Sequence, residues 1–82
     1  MKYTFPAVLM KDQYNESVIN VSFPDLLGVN TFGSNREEAL FMAKDVLQSV
    51  LTEIEELRKI TPTPIEKLQE LFEDVVLVEV TL

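Results

Sequence analysis

Ser22 to Leu40 reads Ser-Phe-Pro-Asp-Leu-Leu-Gly-Val-Asn-Thr-Phe-Gly-Ser-Asn-Arg-Glu-Glu-Ala-Leu. This stretch limits the fold more than any other. Pro24 lacks the ladder N–H and Asp25 favours turns, so together they end a strand. Gly28 and Gly33 are the 2 glycines of the chain. Both stand where the backbone needs conformations that other residues resist. Ser34 and Glu37 then match the Ser-x-x-Glu capping box that starts a helix. The stretch is therefore a strand–loop–strand–helix joint.

The segments on either side extend this pattern. In Lys2–Lys11, Tyr3, Phe5, Ala7 and Leu9 alternate with Thr4, Val8 and Met10, which is the period of a strand. Pro6 interrupts it, and the expected accommodation is a bulge or an unpaired N–H position. Polar Lys11–Glu16 reads as a hairpin loop. Ser17–Phe23 forms a second strand, antiparallel to the first, with Ile19, Val21 and Phe23 toward the core. Val29–Phe32 has room for a short third strand.

A helix is expected from about Asn35 to about Arg58. Ala39, Leu40, Ala43, Val46, Leu47, Val50, Leu51, Ile54 and Leu57 recur at intervals of three and four and make one apolar stripe. Glu37 and Glu38 at its start, and Arg58 and Lys59 at its end, suit the helix dipole. Glu55 and Lys59 form an i,i+4 pair. Phe41 and Met42 fall partly off the stripe and read as peripheral core or as a contact with another chain.

Ile60-Thr61-Pro62-Thr63-Pro64 reads as an extended connector. Thr63 is the expected N-cap of a short helix, with Pro64 at its first position and Glu66 completing Thr-x-x-Glu. That helix is expected to reach about Glu73. Val75–Leu82 is the last strand. Val76, Val78, Val80 and Leu82 share one face, and Val75 and Leu77 also make the other face half apolar, as in a central strand or one paired across a dimer. The resulting order is three strands, a long helix, a short helix and a strand. It is an α+β domain with a mainly antiparallel sheet, and residues 1–82 form one domain.

Composition excludes several kinds of chemistry. The chain has 0 histidines and 0 cysteines, which removes the usual general base, the commonest metal ligands and any disulfide. The two glycines form no dinucleotide- or phosphate-binding loop. Carboxylates binding magnesium would be the one remaining catalytic route, but they follow the spacing of a solvated helix face. No enzyme activity, metal or cofactor is expected. At 82 residues the chain buries only about 60% of its unfolded surface, so self-association is expected. The last strand and the long helix are the candidate interfaces. No apolar run approaches the roughly 20 residues that span a bilayer, and the N-terminus lacks a signal-peptide core. The expected location is the cytoplasm.

Net charge is −7 and unevenly placed. Residues 34–82 hold five basic and eleven acidic residues. Such a surface repels phosphate backbones and attracts basic proteins, so direct nucleic-acid binding is not expected.

The chain resembles the HicB antitoxin family. The matching elements are Tyr3…Phe5-Pro6-Ala7-Val8, Val21-Ser22-Phe23-Pro24-Asp25-Leu26…Gly28, Thr31…Gly33 and Glu37-Glu38-Ala39-Leu40…Ala43-Lys44. Pro62…Pro64 and Leu77-Val78-Glu79-Val80 add to them. The resemblance implies a partial RNase H-like βββαβ fold without the nuclease site. It also implies an antitoxin that binds and occludes HicA, a small basic mRNA-cleaving toxin. Many relatives add a C-terminal DNA-binding domain, whereas this sequence ends at Leu82, which implies a stand-alone domain. Asp12–Ser17 lacks the glycines common in the family, which implies a longer or differently shaped hairpin.

Asp25, Asp45, Glu53 and Glu56 are the candidate partner contacts, while Pro24, Gly28, Gly33, Ser34 and Glu37 shape the turns and the cap. Two other readings compete. One is a small-molecule-binding or regulatory module of the same fold, which a stabilising ligand in a thermal-shift screen would reveal. The other is a residual magnesium-dependent nuclease, which cleavage of an RNA–DNA hybrid would reveal.

Overall fold

The computed structural model describes all residues from Met1 to Leu82. Its strands are β1 (Lys2–Lys11), β2 (Ile19–Ser22), β3 (Asn30–Gly33) and β4 (Val75–Thr81). Helix α1 covers Arg36–Glu53, a 3-10 helix covers Glu55–Lys59, and the short α2 covers Ile65–Gln69. The sheet order is β3-β2-β1-β4, and every neighbouring pair is antiparallel. The domain is thus α+β, with one long helix and a short helix before the last strand. No helix is long and apolar enough to cross a membrane.

β1 joins the two halves of the sheet. Its Val8–Lys11 part pairs with β2, and its Lys2–Val8 part pairs with β4. The register through Pro6 is unbroken, so there is no bulge: Pro6 lies opposite Leu77. The missing N–H explains how. Leu9 N–H donates to the Asp74 carbonyl at 2.9 Å, and amides alternate sides along a strand. The odd-numbered amides of β1 therefore face β4, and Pro6 faces the β2 side. Pairing with β2 begins only at Val8, so proline removes no ladder bond there.

The same alternation builds the core. Phe5, Ala7 and Leu9 of β1, Val21 and Phe23, and Val78 and Val80 of β4 lie in one buried cluster with Ala39, Ala43, Leu47 and Leu51 of α1. The four α1 residues are all 0% exposed. Their spacing of four keeps them on one helix face. Leu40 and Ile54, expected on that stripe, are exposed at its margins. Phe41 is exposed as well.

Three expected boundaries are corrected. Helix α1 ends at Glu53 rather than near Arg58, because Ile54 turns to φ −119° and ψ 90°. The chain then tightens into the 3-10 helix, whose threefold repeat keeps Leu57 and Ile60 packed on the core. Glu55 and Lys59 thereby fall outside the α-helix. Arg58 folds back instead, donating from Nε to the Leu51 carbonyl at 2.7 Å and from Nη2 to the Thr52 carbonyl at 3.4 Å. It satisfies carbonyls that the end of α1 leaves unpaired.

The cap at the other end of α1 is shifted by one residue from Ser34 and Glu37. Asn35 is the N-cap, and its Oδ1 accepts the Glu38 N–H at 2.8 Å. The Glu38 carboxylate accepts the Ser34 N–H at 3.0 Å and its hydroxyl at 3.2 Å. Both frames contain a good capping residue followed by Glu. The third correction concerns α2, which stops at Gln69 and has Pro64 at its N-cap without a side-chain cap. Thr63 is engaged elsewhere.

The first hairpin closes without glycine. Asp12 accepts the Asn20 side-chain amide at 2.9 Å, the Tyr14 N–H at 3.0 Å and the Asn15 N–H at 3.1 Å. These donors, Asn20 foremost, hold the Asp12 carboxyl below the usual carboxylate range.

Candidate functional site

The β2–β3 loop and the α1–α2 connector meet at one end of the sheet. The Leu26 N–H donates to the Phe23 carbonyl at 2.9 Å, and the Val29 N–H to the Leu26 carbonyl at 3.1 Å. Gly28 has a φ of +82°, which lets this second turn close. Leu26 is buried while Leu27, at the tip, is 103% exposed. Pro24 precedes this double turn and is exposed.

Asp25 is half-buried, and both of its carboxylate oxygens are occupied. One accepts the Thr63 N–H at 3.0 Å and the other the Thr63 hydroxyl at 2.5 Å. The clasp joins residues 38 apart in sequence. It holds the loop against the connector that follows the 3-10 helix. It also explains why Thr63 does not cap α2. Asp25→Ala is expected to cost about 1–3 kcal/mol in urea denaturation, because it strands a half-buried N–H. Thr63→Val, which keeps that N–H bond, should cost less. A double-mutant cycle should return a coupling of about 1 kcal/mol or more between the two positions.

The other three candidate contacts are placed differently. Asp45 and Glu53 lie on α1 and Glu56 lies on the 3-10 helix, and all three are exposed. None takes part in an ion pair, since the one salt bridge is Arg36–Asp74 at 3.0 Å. Gly33, Ser34 and Glu37 sit at the opposite end of α1, where β3 runs into the helix. The candidates therefore divide into a loop clasp, a set of free carboxylates along α1 and its extension, and a strand–helix junction.

Sequence reasoning raised Phe41 as a possible contact but passed over exposed Leu27, Met10 and Phe32. Leu27 carries no local signal that separates it from buried Leu26. Met10 and Phe32 flank Asn20 on the sheet face opposite α1, as the registers Met10–Asn20 and Asn20–Phe32 place them. With Ser22 and Asn30 they line an uncharged groove of about 380 Å³. A second cleft, about 690 Å³, is lined by Ile19, Leu71 and Phe72 together with the Arg36–Asp74 pair. No group of three acidic, histidine or cysteine side chains is arranged to hold a metal ion.

Comparison with known proteins gives this geometry a family. Residues 4–79 match the family model described as HicB_like antitoxin of bacterial toxin-antitoxin system. The fold is similar to the crystal structure of the N-terminal domain of the Burkholderia pseudomallei antitoxin HicB. The TM-score is 0.70 at 20% identity, over 98% of each chain. It is also similar to the crystal structure of the B. pseudomallei antitoxin HicB, with a TM-score of 0.67 at 26% identity. That match covers 98% of this chain and 63% of the other, so this chain spans under two thirds of that antitoxin. No curated protein sequence matches significantly. The family model covers nearly the whole sheet and both helices, and the chain belongs to the HicB-like antitoxin family of bacterial toxin–antitoxin systems.

Proposed function

We propose that this chain is a non-catalytic antitoxin that binds and neutralises a small, basic, mRNA-cleaving toxin of the HicA type in the cytoplasm. The match to the antitoxin family over residues 4–79 carries this reading. The charge distribution supports it. A protein that grips RNA must present positive charge, and an acidic chain of net −7 is attracted to that surface while RNA is repelled. Asp45, Glu53 and Glu56 are exposed carboxylates with no internal partner, so they are the groups available to steer a cation-rich surface. Asp25 contributes indirectly, by holding the loop that carries exposed Leu27. Charges of this kind set association rate and specificity, while apolar contacts supply residence time.

The test is co-expression with the neighbouring reading frame, followed by stopped-flow association. A small basic protein should co-purify. A Glu53→Lys, Glu56→Lys double variant should associate on the order of tenfold more slowly at low salt, with the difference shrinking as salt rises. Absence of binding by any small basic neighbour would defeat the proposal.

A further inference from the structure

Leu27 is more exposed than any other large apolar side chain of this protein. It holds the second position of the Leu26–Val29 turn, which Gly28 closes with its φ of +82°. The fold makes no use of it, since Leu26 supplies the side chain that the loop buries. A leucine exposed singly on a helix or sheet is ordinary. Leu27 differs in how its turn is held. The Leu26 N–H donates to the Phe23 carbonyl and the Val29 N–H to the Leu26 carbonyl. Asp25 accepts both the N–H and the hydroxyl of Thr63. Buried Phe23, Leu26 and Val29 fix the same loop from beneath. The tip is therefore a rigid apolar knob, and a rigid group gives up little freedom when a partner closes over it.

The charges at this end of the molecule point to the class of partner. β3 runs directly into α1, so α1 turns back and ends beside the β2–β3 loop, where Thr63 meets Asp25. Glu53 closes α1, Glu55 and Glu56 begin the 3-10 helix, and all are exposed. Exposed Ile54 lies between them. None of these carboxylates forms an ion pair. Arg58 is turned onto the Leu51 and Thr52 carbonyls, which leaves Lys59 as the free cation of the segment. At the start of α1, by contrast, Glu38 is engaged by Ser34, and Asp74 is paired with Arg36. Resting on the functional reading above, we propose that Leu27 is the apolar anchor of the complex. It enters a pocket of a small basic protein whose cations face Glu53, Glu55 and Glu56, and the Asp25–Thr63 clasp holds it in place. The carboxylates speed the encounter, and the desolvated anchor sets the residence time. Asp25 is a positioning residue here, because its oxygens are spent on Thr63.

Dissociation of the complex with the small basic protein of the neighbouring reading frame tests this, beside urea denaturation of each free variant. Leu27→Ala should leave stability unchanged and raise the dissociation rate roughly tenfold, as expected for a leucine side chain that is no longer buried. Its association rate should stay within about twofold of the wild-type value. Asp25→Ala should raise the dissociation rate at least ~threefold in the wild-type background and less than about twofold in the Leu27→Ala background, where nothing is left to position. A merely structural loss would weaken both backgrounds alike. Asp25→Asn keeps an oxygen for the Thr63 N–H and an amide for its hydroxyl, so it should dissociate like the wild-type chain. Thr63→Val should repeat the Asp25→Ala pattern at smaller size, and it replaces that variant if Asp25→Ala does not fold. A wild-type complex from which Leu27→Ala dissociates no faster overturns the anchor and leaves the antitoxin reading intact. Absence of a wild-type complex defeats that reading and the anchor with it. Asp25→Asn weakening the complex as much as Asp25→Ala overturns the role of the clasp, since Asp25 would then act through its charge.

Discussion

Gly33→Ala is expected to be among the most damaging single-methyl additions to this protein. A Cβ at Gly33 would lie 2.4 Å from the Ala39 nitrogen, 2.7 Å from its Cα and 2.8 Å from the Glu38 carbonyl carbon. All three atoms belong to the backbone of the first turns of α1, so no side chain can rotate aside. Either the helix lifts from the sheet or β3 shifts, and β3 is held at this point by the Gly33–Ile19 pairing. Lifting the helix would also expose Ala39 and Ala43, which are 0% exposed. Overpacking of this kind costs about 3 kcal/mol or more. For a domain of this size that lowers the melting midpoint by roughly 15 °C. Gly28→Ala is the matched control. A Cβ there meets nothing within 4 Å, and only the φ of +82° opposes it. Its cost should be about 1–2 kcal/mol. Thermal and urea denaturation of the two variants would check the order. A larger loss at Gly28 than at Gly33 would contradict the close approach of strand and helix.

Leu47→Ala is expected to cost about 2–5 kcal/mol. Leu47 sits in the middle of α1, is 0% exposed, and belongs to the cluster shared with β1, β2 and β4. Its removal leaves a cavity where helix and sheet are already close-packed, and the sheet cannot collapse to fill it. Domains of this length have little stability in reserve, so the variant should be largely unfolded at moderate temperature. Phe41 lies on the outer side of the same helix and is 68% exposed. Phe41→Ala should change stability by less than about 0.5 kcal/mol. Denaturation curves would separate the two. If partner binding is lost in Phe41→Ala while stability holds, the outer face of α1 is a contact surface rather than a peripheral piece of core.

Much of the fold was legible because its signals are local. The period of two in Tyr3, Phe5, Ala7 and Leu9 reports the buried face of β1 without any knowledge of its neighbours. The spacing of four from Ala39 to Leu51 does the same for α1. The errors fell where two local signals were equivalent. Ser34 with Glu37, and Asn35 with Glu38, are both acceptable caps, and no local signal chooses between them. A 3-10 turn and an α-turn can each bring Leu57 back to the core, so the apolar stripe could not reveal the end of the helix at Glu53. Asp45, Glu53 and Glu56 were legible only as charge, and Asp25 only as charge and as a turn former. The clasp of Asp25 could not be seen, because its partner Thr63 lies 38 residues away.

The sequence by itself determined the order of the strands and α-helices, the faces that build the core, and the absence of histidine and cysteine. These follow from residue spacing and side-chain inventory, which are properties of a segment or of a composition. The tertiary structure decided what the spacings leave open. It made Gly33 a contact between backbones and Gly28 a turn former. It turned Asp25 into a clasp and Arg58 into a helix cap, and it left β4 as an unpaired edge. Each depends on which distant groups share a few ångströms of space, and only the packing of the whole chain sets that distance.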